Sequence, residues 1–455
     1  MDKILFSQEV PVMDKVDVLV VGGGPAGIAA SVAAARAGMS TRLVDNNGYL
    51  GGMATAGLVG PFMTSFSPDG SRQIVKGIFD ELLLRMIDHG GAIHPSQCKP
   101  GTSYSSYIGR GHGNVSPFNS EAFKVDAEAL CLNAGVKLLY HVFFVKALVS
   151  EDGDSITGAV FATKAGLQVI QAKIFIDCTG DGDLAASAGV VMKQGRDEDG
   201  LTQPATLFFR ISGIDKQKLE RHRLEHPEPD AKQFNTEVEY ARSQGDFPIE
   251  REKLGMYESC DGTWRVNTTR IIHLDATDPA AVTAAEIEGR KQIQTVMSFL
   301  HKYIPGAENA CLIESASVLG VRESRRIIGE YVLTAEDILS SRKFEDSIGL
   351  YGFPIDIHQP DGKSGVFMQF KEPYSIPYRI LLPKQRGKNL LVAGRCVSAT
   401  HDALGSVRIM PACFVTGQAA GTAAALALQE GISPKQLAYK KLEKKLLKNG
   451  ALLTW

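Results

Sequence analysis

The stretch between Val16 and Asp45 constrains the fold most, because three spaced glycines stand between an apolar run and a run of small residues. It reads VDVLVVGGGPAGIAASVAAARAGMSTRLVD. Residues 16–21 are apolar and β-branched, which predicts a strand buried on both faces, and residues 28–37 favour a helix. Residues 40–44 predict a second strand, so the unit has the order strand, glycine turn, helix, strand.

The glycine spacing in this unit predicts a dinucleotide site. The first glycine permits a tight turn, the second lets the backbone approach a pyrophosphate, and the third lets the helix pack on the strand. The amino end of the helix offers free N–H groups to the phosphates. An acidic residue at the end of the second strand is placed to bond a ribose hydroxyl. The predicted cofactor-binding residues here are Gly22, Gly24, Pro25, Ala26, Gly27, Asp45 and Asn46.

Composition excludes several classes of partner. The chain has 455 residues, 44% of them hydrophobic, and a net charge of −2, so no nucleic-acid partner is expected. No uninterrupted apolar run approaches 18 residues, and residues 1–16 lack the apolar core of a secretory signal, so we expect a cytoplasmic protein without a membrane span. The seven cysteines are scattered singly, which predicts free thiols and no metal site.

A second glycine-rich loop lies in IFIDCTGDGDLAASAG, residues 174–189. Residues 138–149, 156–163 and 169–177 predict three strands of a meander that leads into it. The carboxylates of Asp181 and Asp183 would repel a phosphate, and no further βαβ unit follows, which argues against a second dinucleotide site. Asp183 is instead predicted to cap a short helix that opens at Leu184. The electron donor or acceptor is therefore not identified by the sequence.

The loop GYLGGMATAGLVG, residues 48–60, resembles the Gly-Gly loop of FAD-dependent oxidoreductases of the glutathione reductase-like structural group. These are relatives of the fumarate reductase and succinate dehydrogenase flavoproteins. The resemblance implies FAD as the cofactor, and no histidine between Asp45 and Gly60 is present to carry it covalently, so we expect non-covalent FAD. It also implies that the turn after residue 177 is a second contact to the same FAD. The implied residues are Gly51, Gly52, Met53, Thr179, Gly180 and Asp181.

The segment 389–425 resembles the carboxy-terminal FAD segment of the same group. Residues 389–393 predict a buried strand, and Pro411 suits the first turn of a helix whose small residues permit close packing. The resemblance implies that this helix points its amino end at flavin N1 and the C2 carbonyl, where its dipole favours reduction. The cofactor-binding residues implied here are Gly394, Arg395, Pro411 and Ala412.

His401 and Arg408 resemble the histidine and arginine of the fumarate reductase tail that hold a dicarboxylate over the flavin. They stand seven residues apart, against four in that pattern, so the role carries over and the substrate does not. In the alternative, both merely bridge loops around FAD. Tyr378 and Arg379 complete the candidate ring.

Two further candidates lie before this segment. On a predicted strand, Arg322, Ser324 and Arg326 share a face without an acid, which indicates either a substrate-carboxylate clamp or an ion-paired sheet surface. His358, beside Asp356 at a strand end, is either a proton donor or a solvated turn histidine.

Taken together, the sequence predicts an α/β chain with a Rossmann-like FAD/NAD(P)-binding domain and an inserted α+β substrate (cap) domain. We assign residues 14–60, 119–200 and 386–455 to the first domain, and residues 61–118 and 201–385 to the second. The expected function is hydride transfer between flavin N5 and a small polar, anionic metabolite. Structural, non-redox FAD, a tRNA-modifying flavoprotein and a thiol- or disulfide-linked reductase are the alternatives. The last is disfavoured because the first helix has no paired cysteines near it.

Overall fold

The fold is organised around the helix that follows the first glycine turn, in a computed structural model that describes residues 4–107, 112–227, 233–363 and 365–455. The helices of these residues are α1 Pro25–Arg36, α2 Ile78–Asp88, α3 Ser120–Asn133, α4 Asp183–Ser187, α5 Lys216–Glu225, α6 Asn235–Ser243, α7 Pro279–Tyr303, α8 Ala335–Leu339, α9 His401–Val407, α10 Met410–Glu430 and α11 Tyr439–Lys448. The strands are β1 Val12–Val21, β2 Thr41–Val44, β3 Lys137–Leu139, β4 Phe143–Val149, β5 Ile156–Thr163, β6 Gly166–Asp177, β7 Met192–Gln194, β8 Phe209–Ser212, β9 Met256–Glu258, β10 Trp264–Val266, β11 Cys311–Ser315, β12 Arg325–Ile327, β13 Ser347–Tyr351, β14 Ile355–His358, β15 Gly365–Met368, β16 Tyr374–Pro377 and β17 Leu390–Val392.

The predicted strand, glycine turn, helix, strand unit is confirmed. α1 begins at Pro25, three residues before the predicted start, because proline at a first helical position has a helix-compatible φ and no N–H to satisfy. β1 pairs in parallel with β2 and with β6, and β2 pairs in parallel with β3. The seven-stranded sheet therefore has the order β3-β2-β1-β6-β5-β4, and β17 is a parallel neighbour of β6.

The predicted meander is confirmed as the antiparallel strands β4, β5 and β6, but the predicted first strand is longer than β4. The predicted strand 138–149 is two strands, because His141 has a φ of 56° and the chain turns there. β3 runs parallel to β2, whereas β4 lies at the far edge of the sheet. The predicted strand through Arg322 is likewise reduced to β12, which pairs with β7.

Buried apolar side chains form separate clusters. One cluster joins α1, α3 and α10 with residues 333–382, and another is built from residues 205–319 around β8, β10 and α7. A four-stranded antiparallel sheet, β11-β8-β10-β9, lies in the second cluster. The proposed domain boundaries remain a prediction, and residues 333–382 pack with the nucleotide-binding half.

α1 and α10 touch through their backbones. A β-carbon at Gly417 would lie 2.1 Å from the carbonyl oxygen of Ala26, and one at Gly421 would lie 2.0 Å from that of Ala30. The predicted close packing of the small residues is therefore confirmed. α10 is long and apolar enough to cross a membrane by composition alone, but 89% of its most apolar window is buried inside the protein. Its apolar character is explained by this packing.

Replacing Gly421 with valine should lower the free energy of unfolding by at least about 2 kcal/mol, because the added carbons force the two helices apart. Ser298→Val on the exposed face of α7 is the matched control, since it places the same β-branched residue in a helix without a neighbour, and should change stability by less than about 0.5 kcal/mol. Denaturant unfolding of both variants measures this. Equal stabilities would show that the backbones of α1 and α10 are not in contact.

Candidate flavin and substrate site

A cavity of about 1720 Å³ opens at the carboxyl ends of β1, β2 and β6. Pockets for single small ligands usually measure about 300–1,000 Å³, so this one has room for a dinucleotide and a second molecule. Its wall combines the first glycine turn, the loop 52–63, the turn after β6 and the start of α10 with residues of the 205–319 half. The cavity therefore joins the two predicted domains.

The first glycine turn leaves space where a dinucleotide would need it. Gly22 has a φ of 101° and packs against the Cys178 backbone, and a β-carbon at Gly27 would lie 1.8 Å from the Gly22 carbonyl oxygen. A β-carbon at Gly24, by contrast, would meet nothing within 4 Å and would project from the wall of the cavity. Gly22 and Gly27 are thus required by the fold itself, whereas Gly24 keeps open a path for a ligand.

Asp45 lies at the end of β2 and lines the cavity, as does Asn46. Its carboxylate accepts hydrogen bonds from Gly23 N at 2.6 Å and from Asn47 N at 2.7 Å. Burial raises the pKa of Asp45 and these N–H donors lower it. The side chain is therefore held in one orientation, with lone pairs left for a ribose hydroxyl.

The loop predicted to run beside the flavin bends back over the glycine turn. Gly51 has a φ of 116°, which favours glycine, and its N–H donates to the Gly23 carbonyl at 2.9 Å. Gly52 and Met53 line the cavity, while Gly51 lies behind them. The predicted residues are thus brought to the first glycine turn.

The turn after β6 lines the same cavity through Thr179, Gly180 and Asp181. The Arg395 guanidinium contacts both the Gly180 carbonyl and the Asp181 carboxylate. This contact ties the turn to the strand end at Gly394, which also lines the cavity. The two predicted FAD loops are therefore neighbours.

The predicted capping role of Asp183 is wrong. Gly182, with a φ of 66°, occupies the cap position without a side-chain hydrogen bond, and Asp183 is the first helical residue. The Asp183 carboxylate pairs with Arg325. Burial and the neighbouring carboxylates of Asp177 and Asp181 raise the pKa of Asp183 to about 6.

At the start of α10, the cavity wall is made by neighbours of the predicted residues. Pro411 and Ala412 are buried in the helix, and Ile409, Met410 and Cys413 line the cavity instead. The one-residue difference arises because the helix begins at Met410 and turns the side chain of Pro411 into the core.

Four arginines converge on the half of the cavity away from the first glycine turn. Arg251, Arg270 and Arg322 are buried and Arg408 is half-buried, and all four line the wall. Burial lowers the pKa of Arg322 to about 9, which leaves it charged at neutral pH. Burial lowers the pKa of all four, and the carboxylate of Asp356 opposes that shift in each, so it is their shared counter-ion.

Hydrogen bonds within the protein hold the Arg322 guanidinium, whereas the guanidiniums of its three neighbours are only partly hydrogen-bonded. Arg322 donates to Pro204 O at 2.6 Å, to Thr206 Oγ1 at 2.8 Å and to Asn267 Oδ1 at 3.1 Å. Each of the other three arginines of this wall has one buried guanidinium nitrogen without a hydrogen-bond partner in the described ranges: Arg251 Nη1, Arg270 Nη1 and Arg408 Nε. Unpaired charged donors inside a protein are costly, which indicates a ligand with acceptor oxygens.

His358 lies at the end of β14 in the middle of this group. Its Nδ1 lies 3.3 Å from Arg270 Nη2, which can only donate, so the ring proton is assigned to Nε2, 3.5 Å from Asp356 Oδ2. Burial and then the surrounding arginines lower the pKa of His358 well below its usual value. The side chain is therefore a buried, neutral imidazole rather than a solvated turn histidine, and its role as a proton donor stays a prediction.

His401, predicted to face the substrate, lies behind the cavity wall. It is the first residue of α9, it is buried, and its Nδ1 is 2.7 Å from Glu323 Oε2. Glu323 also pairs with Arg326 and accepts from Gln203 N at 3.1 Å. The proposed acid-free strand face is thus wrong, because Arg326 has an acid partner.

Gln203 connects this buried cluster to the cavity. Its Oε1 accepts from His358 N at 3.3 Å and lies 3.5 Å from Arg408 Nη2. Gln203 therefore contacts both groups, with its N–H bonded to Glu323 and its side-chain oxygen facing His358 and Arg408.

Tyr378 and Arg379, the other two residues of the predicted substrate ring, do not line the cavity. Arg379 is exposed on the surface, where its guanidinium pairs with Asp346 at 2.9 Å. Tyr378 is buried, and its hydroxyl donates to Pro434 O at 3.0 Å. Both side chains lie on a short 3₁₀ turn, Tyr378–Leu381, that directs them away from the site.

Sequence reasoning missed Arg251, Arg270, Tyr257 and His112, which all line the cavity. The ring of His112 stacks on Tyr257 with centroids 6.4 Å apart. Burial lowers the pKa of His112 to about 4 and raises that of Tyr257 to about 12, so both are neutral at pH 7. No motif surrounds these residues, and no metal-binding cluster of His, Cys, Asp or Glu occurs where the structure describes the chain.

Three solved structures illustrate what this chain resembles in fold. A geranylgeranyl bacteriochlorophyll reductase-like protein from Thermoplasma acidophilum is 15% identical, with a TM-score of 0.47 over 96% of this chain and 86% of that one. The p-nitrophenol 4-monooxygenase of Pseudomonas putida is 11% identical, with a TM-score of 0.48 over 96% and 85%. BexE, from BE-7585A biosynthesis, is 12% identical, with a TM-score of 0.50 over 95% and 66%.

A search of the curated proteins found no significant match. A family model, described as FAD dependent oxidoreductase, matches residues 17–446 and so includes the first glycine turn, the four arginines and α10. The open space at Gly24 and the cavity shared by both FAD loops fit that cofactor. The chain therefore belongs to the FAD-dependent oxidoreductase family, with a Rossmann-like FAD-binding fold and FAD as its cofactor.

Proposed function

We propose that this oxidoreductase transfers hydride between flavin N5 and a small, anionic metabolite. The observation that carries the proposal is the group of four arginines on one wall of the FAD cavity, three of them with an unpaired nitrogen. Arginine stays charged at neutral pH and its planar fork matches carboxylate and phosphate oxygens. A neutral substrate would leave these charges without partners.

The chain's own residues divide the cavity between cofactor and substrate. Gly24, Asp45 and Gly52 would hold the nucleotide part of FAD, and the turn at Gly180 with Arg395 would close over the rest. When bound, FAD supplies the hydride acceptor or donor at N5. Arg322 and Arg408 then orient an anion between this half and the arginine wall.

The proton that accompanies a hydride needs a separate group, and Asp356 is suited to hold it. Its carboxylate lines the cavity and lies 3.5 Å from the protonated Nε2 of neutral His358. When an alcohol or amine is oxidised, its proton would pass to Asp356 Oδ as the hydride leaves the neighbouring carbon, and reduction would return it. We therefore assign the proton transfer to Asp356 rather than to His358, the candidate that the sequence offered.

Thiol chemistry is less well supported. Cys178 and Cys413 line the cavity, but burial raises the pKa of Cys178 well above its usual value and that of Cys413 to about 12. A thiol acts as a nucleophile only when it is deprotonated. Both groups are therefore poor candidates for a disulfide-exchange site.

Gly24→Ala should fold normally and lose FAD, because the added methyl meets no protein atom and occupies the pyrophosphate path. Gly27→Ala is the contrasting variant, since its methyl would strike the Gly22 carbonyl and should impair folding. Flavin released into the supernatant by acid precipitation measures FAD content, and circular dichroism measures folding. Full FAD content in folded Gly24→Ala would contradict the proposed FAD site. Flavin that stays with the precipitated wild type would contradict non-covalent binding.

Arg408→Met should lower kcat/KM for the substrate by roughly 30-fold or more with FAD content unchanged, because a charge-assisted bond to the anion is lost. Arg379→Gln is the matched control, since that arginine is exposed and ion-paired to Asp346, and its kcat/KM should equal that of wild type. The substrate is found by photoreducing the enzyme without oxygen and testing which anionic and neutral metabolites re-oxidise it. Re-oxidation by neutral metabolites alone would refute the proposal.

Anion affinity should rise as pH falls from 8 to 6. Burial and the arginines keep His358 neutral in the free protein, and an anion that offsets the arginine charge raises its pKa, so binding takes up a proton. The slope approaches at most about tenfold per pH unit for one proton. Titrations of wild type and His358→Asn measure this, and the variant should lose the slope. An equal slope in both proteins would assign the proton to another group.

A further inference from the structure

The arginine wall has more positive charge than one anionic group can offset. Four guanidiniums face the cavity with Asp356 as their shared carboxylate. The adjacent Glu252 and Lys253 also line this half, and their charges cancel. Lys363 and Glu286, which also line the cavity, likewise cancel, so three positive charges remain on the wall, and a substrate with a single carboxylate would leave two of them.

The donors without partners lie on different elements of the chain. Arg408 follows α9, with its Nη2 near Gln203 Oε1 and the Asp356 carbonyl at 3.5 and 3.4 Å. Arg251 lies between α6 and β9, with its Nε bonded to the Lys253 carbonyl at 3.2 Å. The Arg242 guanidinium fixes the Arg251 carbonyl at 2.6 Å. Each arginine is thus held by its own neighbours.

Arg322 stands between these two arginines. Its Nη1 donates to the carbonyl of Pro204, next to Gln203, which lies against Arg408. Its Nη2 donates to Asn267 Oδ1, and the N–H of Asn267 donates to the Gly255 carbonyl beside Arg251. Its bonds to Pro204 O, Thr206 Oγ1 and Asn267 Oδ1 use three of its five N–H groups, so Arg322 contributes mainly charge to either side. Where the structure describes the chain, the buried guanidinium nitrogens of this wall without a partner are Arg408 Nε on one side, and Arg251 Nη1 and Arg270 Nη1 on the other.

The side around Arg251 also contains neutral polar groups that suit an anion. His112 is buried with its Nδ1 unpartnered, and its ring stacks on Tyr257. The Tyr257 hydroxyl is buried and protonated at neutral pH. Together with the two guanidiniums, these groups form what we name the outer subsite, defined by Arg251, Arg270, His112 and Tyr257.

We propose that the substrate carries two anionic groups, carboxylate or phosphate, one bound by Arg408 beside the FAD half of the cavity and the other by the outer subsite. This rests on the proposed function, since it names the substrate class of the same site. It adds a specificity determinant, Arg251, that no motif in the sequence marks. A linear molecule with charges at both ends satisfies the unpaired donors on both sides of Arg322.

The test is a titration of the FAD-loaded protein with pairs of probes, followed by calorimetry and by the flavin absorbance. Each α,ω-dicarboxylate of three to six carbons is compared with the monocarboxylate of equal length, and phosphoglycolate is compared with glycolate. The best doubly charged probe should bind at least about 30-fold more tightly than its partner. Preference for the phosphate-bearing probe would identify phosphate, and preference for a dicarboxylate would identify carboxylate, at the outer subsite.

Arg251→Met should remove this advantage, because it lowers the affinity of the doubly charged probe far more than that of the monocarboxylate, whereas Arg251→Lys should keep most of it. Arg379→Gln should behave as wild type, and FAD content and circular dichroism confirm folding. Equal binding of singly and doubly charged probes by wild type, or an undiminished advantage in Arg251→Met, would overturn the two-anion inference and leave the proposed function standing. Wild type that binds no anionic probe but binds neutral metabolites would overturn both.

Discussion

The direct contact between the backbones of α1 and α10 is the constraint on which the rest of the structure depends. Gly417 and Gly421 let α10 lie against the carbonyls of Ala26 and Ala30, so the carboxy-terminal segment reaches the helix that begins at the glycine turn. β17 then joins the sheet beside β6, and Arg408 arrives at the cavity wall. Residues separated by nearly four hundred positions therefore share one site because α10 has glycines where it crosses the alanines of α1.

The features that the sequence predicted well are those decided by neighbours along the chain. The glycine turn, the strand before it and the Gly-Gly loop depend on backbone angles and on spacing, which a short stretch specifies. The small residues of α10 indicated close packing for the same reason. The predicted long strand 138–149 failed because the left-handed turn at His141 carries no glycine or proline to mark it.

The site residues were harder, because the partner of a charged side chain is decided by tertiary contacts. Arg379 and Arg408 are both arginines near strand or helix ends, yet one meets Asp346 on the surface and the other meets the cavity. His401 points to Glu323, some eighty residues earlier in the chain. Arg251 sits between two charged neighbours in an ordinary polar loop, so nothing local distinguishes it from a solvated arginine.

The arginine wall has an energetic consequence for the protein without substrate. Buried guanidiniums with unpaired nitrogens lower stability, and Asp356 offsets only part of their mutual repulsion. An anion that completes these hydrogen bonds binds the folded protein alone, so it raises stability by mass action. The cluster behind the wall differs, because the Arg326 guanidinium is paired with the Glu323 carboxylate, which also accepts the Gln203 N–H. The protein thus holds a paired arginine next to incompletely paired ones, and Gln203 contacts both groups.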